Sequence, residues 1–422
     1  MYPGFPLAPT RCPDQPPRGN RTARSLLLIG IFASSLLSFR LVGVAIGDVL
    51  LLVSLALCIL TWRPHRRTES LIPVSSFLTL LALLVGATLS AHESMSASQN
   101  YAVLFRLVFL VLALPWQIRI LLPTDRDQAS ALVALALGGG AAALGTVLQV
   151  AVGTVPLAYE GTSGRLAGFT TSVSDLGGVA AVSAIAAVCA WSSATAGRYI
   201  RPLLGVALAA SVLGLVLSGS VSGMAAFLIG AAFAMWNRSL SPKAFGAFSA
   251  MVILAFLLAV ALQASESESL TPIERLSQTL GLSSTGTQYN TSESRVETYR
   301  IGLEGFLNSP FSGVGLDQTS GEFRLHYETL GVHNLLIAAA FQGGLFLVCA
   351  LGYRLIQAGR AALNRTGTGA YSAPLFVTAF VFSMTAPSLY NRYLWIPVGL
   401  LVVASQRTPS VKIRPSQRTD EK

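Results

Sequence analysis

The sequence predicts an all-α polytopic membrane protein of about twelve helical spans, with one large loop outside the bilayer. Three observations carry this expectation. Of the 422 residues, 52% are apolar and only 11% are charged, whereas a soluble domain carries about 25% charged residues. Apolar stretches long enough to cross a hydrocarbon core about 30 Å thick recur along the chain. The Lys and Arg residues collect in alternate connections between those stretches, as the positive-inside rule requires.

Taken in order, residues 1–24 are Pro-rich and basic, with Arg11, Arg18, Arg21 and Arg24, and are expected to form a disordered cytoplasmic tail. The apolar run that follows has no small-residue cleavage site ahead of a soluble domain, so it is expected to remain as a signal anchor. Spans are expected at 25–39, 41–61, 71–90, 101–118, 128–152, 175–193, 200–217, 221–236, 244–264, 333–353, 371–387 and 392–405. The first nine occupy residues 25–264 and the last three occupy 333–405. Between them lies a large extracytoplasmic loop at 265–332, and residues 406–422 form a second basic cytoplasmic tail. Cys12, Cys58, Cys189 and Cys349 fall in the tail or in spans, so no disulfide framework is expected in the loop.

With both termini inside, the cytoplasmic connections hold Arg63, Arg66, Arg67, Arg119, Arg126, Arg198, Arg201, Arg238, Lys243, Arg354, Arg360 and Arg365. The tails add more, so most of the 29 basic residues lie on one side. Acidic residues go the other way, with Glu93, Glu160, Asp175 and those of the 265–332 loop outside. The net charge of +10 is therefore topogenic, and nucleic acid is excluded as a partner.

Within the loop, Ser294 and Glu297 have the spacing of a capping box. Val296, Tyr299, Leu303, Phe306 and Leu307 follow at helical spacing, and Pro310 disfavours helix in the residue before it. The spacing predicts an amphipathic helix lying on the outer membrane surface or on the bundle.

The basic residues left outside the cytoplasm are Arg40, Arg106, Arg165, Arg275, Arg295, Arg300, Arg324 and Arg392. Arginine suits bidentate contacts with phosphate. Arg295 is expected in the first turn of the loop helix, where the dipole opposes a cation unless an anion is shared with the free amides. Arg300 lies between Glu297 and Glu304 at ion-pair spacing. Arg165, close to glycines, is placed either to meet a ligand or to contact lipid head groups. Arg106 falls inside a span, with Asp48 a conceivable partner, and Arg392 sits in the last outer hairpin, where it could snorkel. His333 stands at the mouth of a span, with the unperturbed pKa of a general base. No paired carboxylates, nucleophile elbow, P-loop or His/Cys cluster is apparent, which favours chemistry without a metal or cofactor.

Four segments then occur in a telling order. They are Gly164-Arg165-Leu166-Ala167-Gly168, Ser294-Arg295 with Tyr299, Asn308-Ser309-Pro310-Phe311-Ser312-Gly313-Val314-Gly315, and His333-Asn334-Leu335-Leu336 followed by Gly343-Gly344. Over roughly residues 160–350 this pattern resembles the O-antigen ligase and O-antigen polymerase superfamily, which also includes oligosaccharide transferases acting on proteins. The resemblance implies a GT-C-like membrane glycosyltransferase. Such an enzyme takes a glycan from a polyprenyl pyrophosphate carrier at the outer face of the bacterial cytoplasmic membrane. It passes the glycan to an acceptor hydroxyl on a glycan, lipid or protein, without metal and with inversion at the anomeric carbon. By the motif match, His333 lies near the acceptor, and Arg165 and Arg295 hold the pyrophosphate; Arg300 is taken as a further pyrophosphate candidate. Two departures stand out: Gln342 replaces the usual acidic residue, and Ser218-Gly219-Ser220-Val221 lacks the usual arginine.

Two other function classes compete. A transporter or flippase of a lipid-linked or anionic envelope precursor would be expected to show paired halves with matching broken helices, and no internal repeat is evident. A non-catalytic envelope scaffold would leave His333 and Arg295 dispensable.

Overall fold

A computed structural model gives the structure of the protein and describes residues 18–41, 43–61, 74–94, 96–159, 165–193, 197, 199–240, 242–263, 291–317, 324–325, 328–329, 331–363, 369–386 and 389–406. Every expected span falls on a helix. In chain order these are α1 (Arg18–Ala33), α2 (Ile46–Thr61), α3 (Val74–Ser90), α4 (Ala97–Leu121), α5 (Asp125–Val152), α6 (Val173–Ser192), α7 (Ile200–Leu217), α8 (Val221–Trp236) and α9 (Pro242–Gln263). The loop helix is α10 (Thr291–Asn308), and α11 (Leu335–Leu363), α12 (Gly369–Ser383) and α13 (Arg392–Ser405) follow. Among the described residues, α4, α5, α6, α7 and α11 are long and apolar enough to cross a membrane, and α2, α3, α8, α12 and α13 are shorter apolar helices.

Two boundaries differ from expectation. Helix α1 begins at Arg18, inside the stretch expected as a tail, and within it Arg24 pairs with Asp127 of α5 at 2.5 Å. Residues 1–17, most of the 265–332 loop and residues 407–422 lie outside the described residues. Helix α10 starts at Thr291, so Arg295 sits in its second turn rather than its first. The Ser294 side chain proposed for the capping box is likewise outside the described set.

Helix α6 is the core of the bundle, buried without interruption from Leu176 to Ala190. A helix apolar all round belongs inside a bundle, and α6 packs against α5, α7, α8 and α12. Small residues let these backbones close in, as they do between membrane helices. Gly138, Gly139 and Gly140 of α5 face Phe32 of α1, Ser183 of α6 and Ala207 of α7 respectively. Cys58, Cys189 and Cys349 are free.

The connections sort to two ends. At one end, Arg24 meets Asp127, Asn237 donates to the Ala370 carbonyl at 2.9 Å, and Arg354 donates to Ser76 at 2.7 Å. At the other end lie the β1–β2 hairpin (Arg40–Leu41 with Val44–Ala45) and the starts of α4, α6, α8, α11 and α13. A second short hairpin, β3–β4, joins Arg324–Leu325 to Glu328–Thr329.

Helix α11 is broken. Gly343 and Gly344 leave helical geometry, at φ −130°, ψ 15° and φ 61°, ψ −157°. In a bilayer, freed backbone groups must find partners within the protein. The turn after α10 supplies them: Val314 and Gly315 donate to the Phe341 and Gln342 carbonyls at 2.8 and 3.1 Å, and Leu345 donates to the Pro310 carbonyl at 2.8 Å. The Asn308–Gly315 segment therefore plugs the gap in α11. A side chain at Gly344 would combine a left-handed φ with a clash against the Phe311 carbonyl. Gly344→Ala is expected to cost about 1–3 kcal/mol of stability, whereas Gly352→Ala, whose added carbon would meet nothing within 4 Å, should be near neutral. Thermal unfolding in detergent compares them, and equal midpoints would remove the plug from the account of α11.

Candidate functional site

The Ser218–Ser222 segment, a turn after α7 that runs into the first residues of α8, is the floor of the site. Gly219 takes φ +59°. Ser220 caps α8 by accepting from the Gly223 amide at 3.2 Å, and the Ser218 hydroxyl donates to the Leu215 carbonyl at 2.8 Å. Two arginines converge on this turn from different loops. Arg165 Nε donates to the Ser218 carbonyl at 2.9 Å, and Arg295 donates to the Ser222 hydroxyl at 3.4 Å.

Arg165 is positioned by the strap that follows α5. Gln149 both donates to the Tyr159 carbonyl and accepts from the Gly168 amide, at 3.1 and 3.0 Å. Phe169 donates to the Ala142 carbonyl at 3.0 Å. Gly168 has φ +54°, and a side chain there would lie 2.5 Å from the Ala142 carbonyl oxygen. The glycine three residues after Arg165 is thus required by this close approach.

Arg295 is positioned by α10, which lies against α11 through its small residues. Thr298 is fully buried, and side chains at Gly302 and Gly305 would strike Ile337 and Phe341. Val296, Leu303 and Leu307 of the expected apolar stripe are instead exposed on the other side. Tyr299 donates its hydroxyl to the His333 carbonyl at 3.1 Å, tying the two helices at the site.

His333 precedes α11. Asn334 caps that helix by accepting from the Leu336 and Ile337 amides at 2.9 and 3.1 Å, and it donates to the Met384 carbonyl at the end of α12 at 3.1 Å. The imidazole is half-buried, and its Nδ1 atom is buried with no hydrogen-bond partner among the described residues. Burial, and then the positive charge of Arg295, lower its pKa from the usual 6.5 to about 4. The ring is therefore neutral at physiological pH, next to a guanidinium.

Arg300 stands apart. It is exposed and held by Glu297 at 2.9 and 2.5 Å and by Glu304 at 2.5 Å. Its charge is compensated on the surface of α10, away from the Ser218–Ser222 turn.

Two other arginines differ from expectation. Asp48 pairs with Arg392, not Arg106, and Arg392 Nε donates to Asp48 at 2.6 Å. Arg392 is buried and does not snorkel to water. Arg106 instead lies over the ring of Tyr390, 5.6 Å from its centre. The Tyr390 hydroxyl lies 2.5 Å from Gln342 Oε1, donating to it, and is also within reach of the Leu316 carbonyl at 3.2 Å. Gln342, the departure noted in the sequence, thus holds the broken part of α11 to the α12–α13 connection. Sequence spacing gave no signal for Gln149, Ser222 or Tyr390, because each acts through a partner more than ten residues away or through its fold neighbours.

These features define a polytopic helical membrane protein with a cationic, histidine-bearing site at one end of its bundle. Residues 206–352 match a family model described as O-antigen ligase, which supports the O-antigen ligase and polymerase superfamily for this chain. The matched segment contains the Ser218–Ser222 turn, Arg295, the plug and His333, and stops short of Arg165. A comparison with curated proteins found no match.

The sign of the His333 shift gives a test. Its folded-state pKa lies below its unfolded value, so the unfolded chain takes up the proton first. Its contribution to stability is present above pH 6.5 and is lost as pH falls toward about 4. Unfolding midpoints should drop more steeply over that window in the wild type than in His333→Gln; parallel curves would remove the buried, neutral imidazole.

Proposed function

We propose that this protein transfers a glycan from a polyprenyl pyrophosphate carrier to an acceptor hydroxyl at the outer face of the bacterial cytoplasmic membrane. The observation that carries this is the meeting of Arg165 and Arg295 on one serine-lined turn, beside a neutral His333 whose buried Nδ1 has no partner among the described residues. Two convergent guanidiniums suit a pyrophosphate leaving group, whose charge grows as the glycosidic bond breaks.

In the proposed step the acceptor oxygen attacks the anomeric carbon from the face opposite the pyrophosphate. The new carbon–oxygen bond forms as the bond to pyrophosphate breaks, with inversion. The acceptor proton goes to His333, and polyprenyl pyrophosphate leaves with the bonding electrons on its phosphate oxygen. A low imidazole pKa alone would make a weak base. The bound pyrophosphate corrects this, because its negative charge offsets Arg295 and raises the basicity of the ring. The arginines supply the charge stabilisation, so the step uses no metal or cofactor. Arg300 could add to the anion site only by releasing Glu297 or Glu304, and its contribution is secondary.

The positive-inside pattern supports an arrangement of about twelve spans with both termini cytoplasmic and the site on the outer face; the GT-C-like reading of the fold rests on the family resemblance. Membrane lipids surround the bundle, and the acceptor is a glycan, a lipid or a protein. A transporter of a lipid-linked precursor is the competing function. It would be expected to have a second broken helix matching α11, and among the described residues no other helix carries such a break.

Purified protein supplied with a lipid-linked glycan and an acceptor should transfer sugar in the presence of chelator. His333→Ala and Arg295→Ala should each lower the rate by at least about 100-fold, while Arg300→Ala should lower it by far less. Full activity in the first two variants would refute the mechanism. A ladder of products would mark a polymerase, and a single attachment a ligase.

A further inference from the structure

The end of the bundle opposite the Arg165–Arg295 site holds a cavity of about 280 Å³. It lies where the start of α5, the end of α6 and the start of α7 meet. Ala129 and Val133 of α5 and Ile200 of α7 give it apolar walls, and Ser130 and Ser193 add hydroxyl groups. Among the described residues that line it, Arg126 is the one that carries a charge.

The charges around the cavity leave Arg126 without an anion. It sits in the first turn of α5, where the helix dipole opposes a cation. Asp127 is taken by Arg24 at 2.5 Å and by the Thr124 cap. Asp125, exposed at the helix start, also has a partner. The Arg126 guanidinium makes no hydrogen bond or ion pair among the described residues. Arg201, next to the Ile200 wall, is exposed and adds to the positive charge. Ser130 donates its hydroxyl to the Arg126 carbonyl at 3.0 Å, and Ser193 donates to the Ala190 carbonyl at 2.8 Å. With those hydrogens spent, the two oxygens can only accept from a ligand. The cavity therefore suits a group that is anionic and also carries hydroxyl donors.

The surroundings are those of a lipid–water boundary. Helix α6, buried as far as Ala190, emerges at Trp191, which is 42% exposed, and Tyr199 ahead of α7 is 90% exposed. Trp236, which closes α8 at the same end, is 54% exposed. Trp and Tyr collect at the level of lipid head groups. From the Ile200 wall the exposed apolar surface of α7 runs on through Leu203 and Val206.

We propose that this cavity seats the head group of an anionic phospholipid. Its phosphate would meet Arg126, its head-group hydroxyls would donate to Ser130 and Ser193, and its acyl chains would lie along Leu203 and Val206. Basic pockets between membrane helices hold anionic head groups in this way. The bound lipid would tie α5, α6 and α7 together, and the inference does not depend on the proposed transfer.

The test is thermal unfolding of the full chain in uncharged detergent, titrated with phosphatidylglycerol or phosphatidylcholine. Phosphatidylglycerol should raise the midpoint saturably, as a ligand of the folded state does, and phosphatidylcholine should raise it far less. Arg126→Gln should increase the half-saturating phosphatidylglycerol concentration at least about fivefold. Because Arg126 is exposed, the variant is expected to fold, and its midpoint without lipid checks this. Arg360→Gln removes an equal charge from the exposed last turn of α11 and should leave the titration unchanged. Equal losses in the two variants would mean that the lipid answers to net charge alone, and would overturn the proposal. An unchanged titration in Arg126→Gln overturns it as well, as does an equal response to phosphatidylcholine. Inorganic phosphate acting as strongly as the lipid would assign the cavity to a free anion and end the lipid inference.

Discussion

A helix that breaks inside a bilayer exposes amide and carbonyl groups that no solvent will satisfy. At Gly343–Gly344 this constraint decides much of the structure. The repair comes from the turn that ends α10, so the loop cannot be placed independently of the membrane helix it repairs. Once the plug is seated, α10 is fixed against α11, Arg295 is brought to the floor turn, and Tyr299 reaches the backbone of His333. The same turn carries Leu316, whose amide donates to Asn100 of α4 at 2.7 Å, and Asp317, which caps the start of α4 through the Ser96 amide at 2.9 Å. Two glycines therefore organise contacts among α4, α10 and α11.

The site is assembled from loops, yet each loop is held by groups that leave little slack. Gln149 locks the Arg165 strap from both its amide nitrogen and its oxygen. Asn334 locks the start of α11 to the end of α12. Burying such polar side chains is costly unless they are satisfied, and here they are. Other buried side-chain atoms lack a partner among the described residues, among them the imidazole Nδ1, Asp317 Oδ1 and the Nε atoms of Arg106 and Arg354; of these the imidazole lies next to Arg295.

Much of this was legible in the sequence. The helices follow from hydropathy, and their two ends follow from where Arg and Lys were placed. Arg165, Arg295 and His333 stand out once the charges of the alternate connections are set aside; the structure brings Arg165 and Arg295 to the Ser218–Ser222 segment and leaves His333 next to Arg295. What the sequence concealed lies in pairings between distant segments. Asp48 chooses Arg392 over Arg106 because α2 and α13 place them side by side, a matter of tertiary packing that spacing does not encode. The start of α10 moved to Thr291 because no local signal forbids helix before Ser294. The stripe from Val296 to Leu307 was visible, but its direction was not: glycines, invisible to a count of large apolar residues, make the packed face.

The Tyr299 tether has a mechanical meaning. With Gly302 and Gly305 pressed onto α11, Arg295 and His333 are carried on one tightly packed pair of helices. The opposing element is the Ser218–Ser222 turn, which grips Arg165 at 2.9 Å but meets Arg295 only through one long contact of 3.4 Å. Among the described residues, α8 and α10 thus meet at the site through one long side-chain contact. In the transfer proposed above, the pyrophosphate would sit between these two elements while the Tyr299 tether holds the imidazole close to the cation.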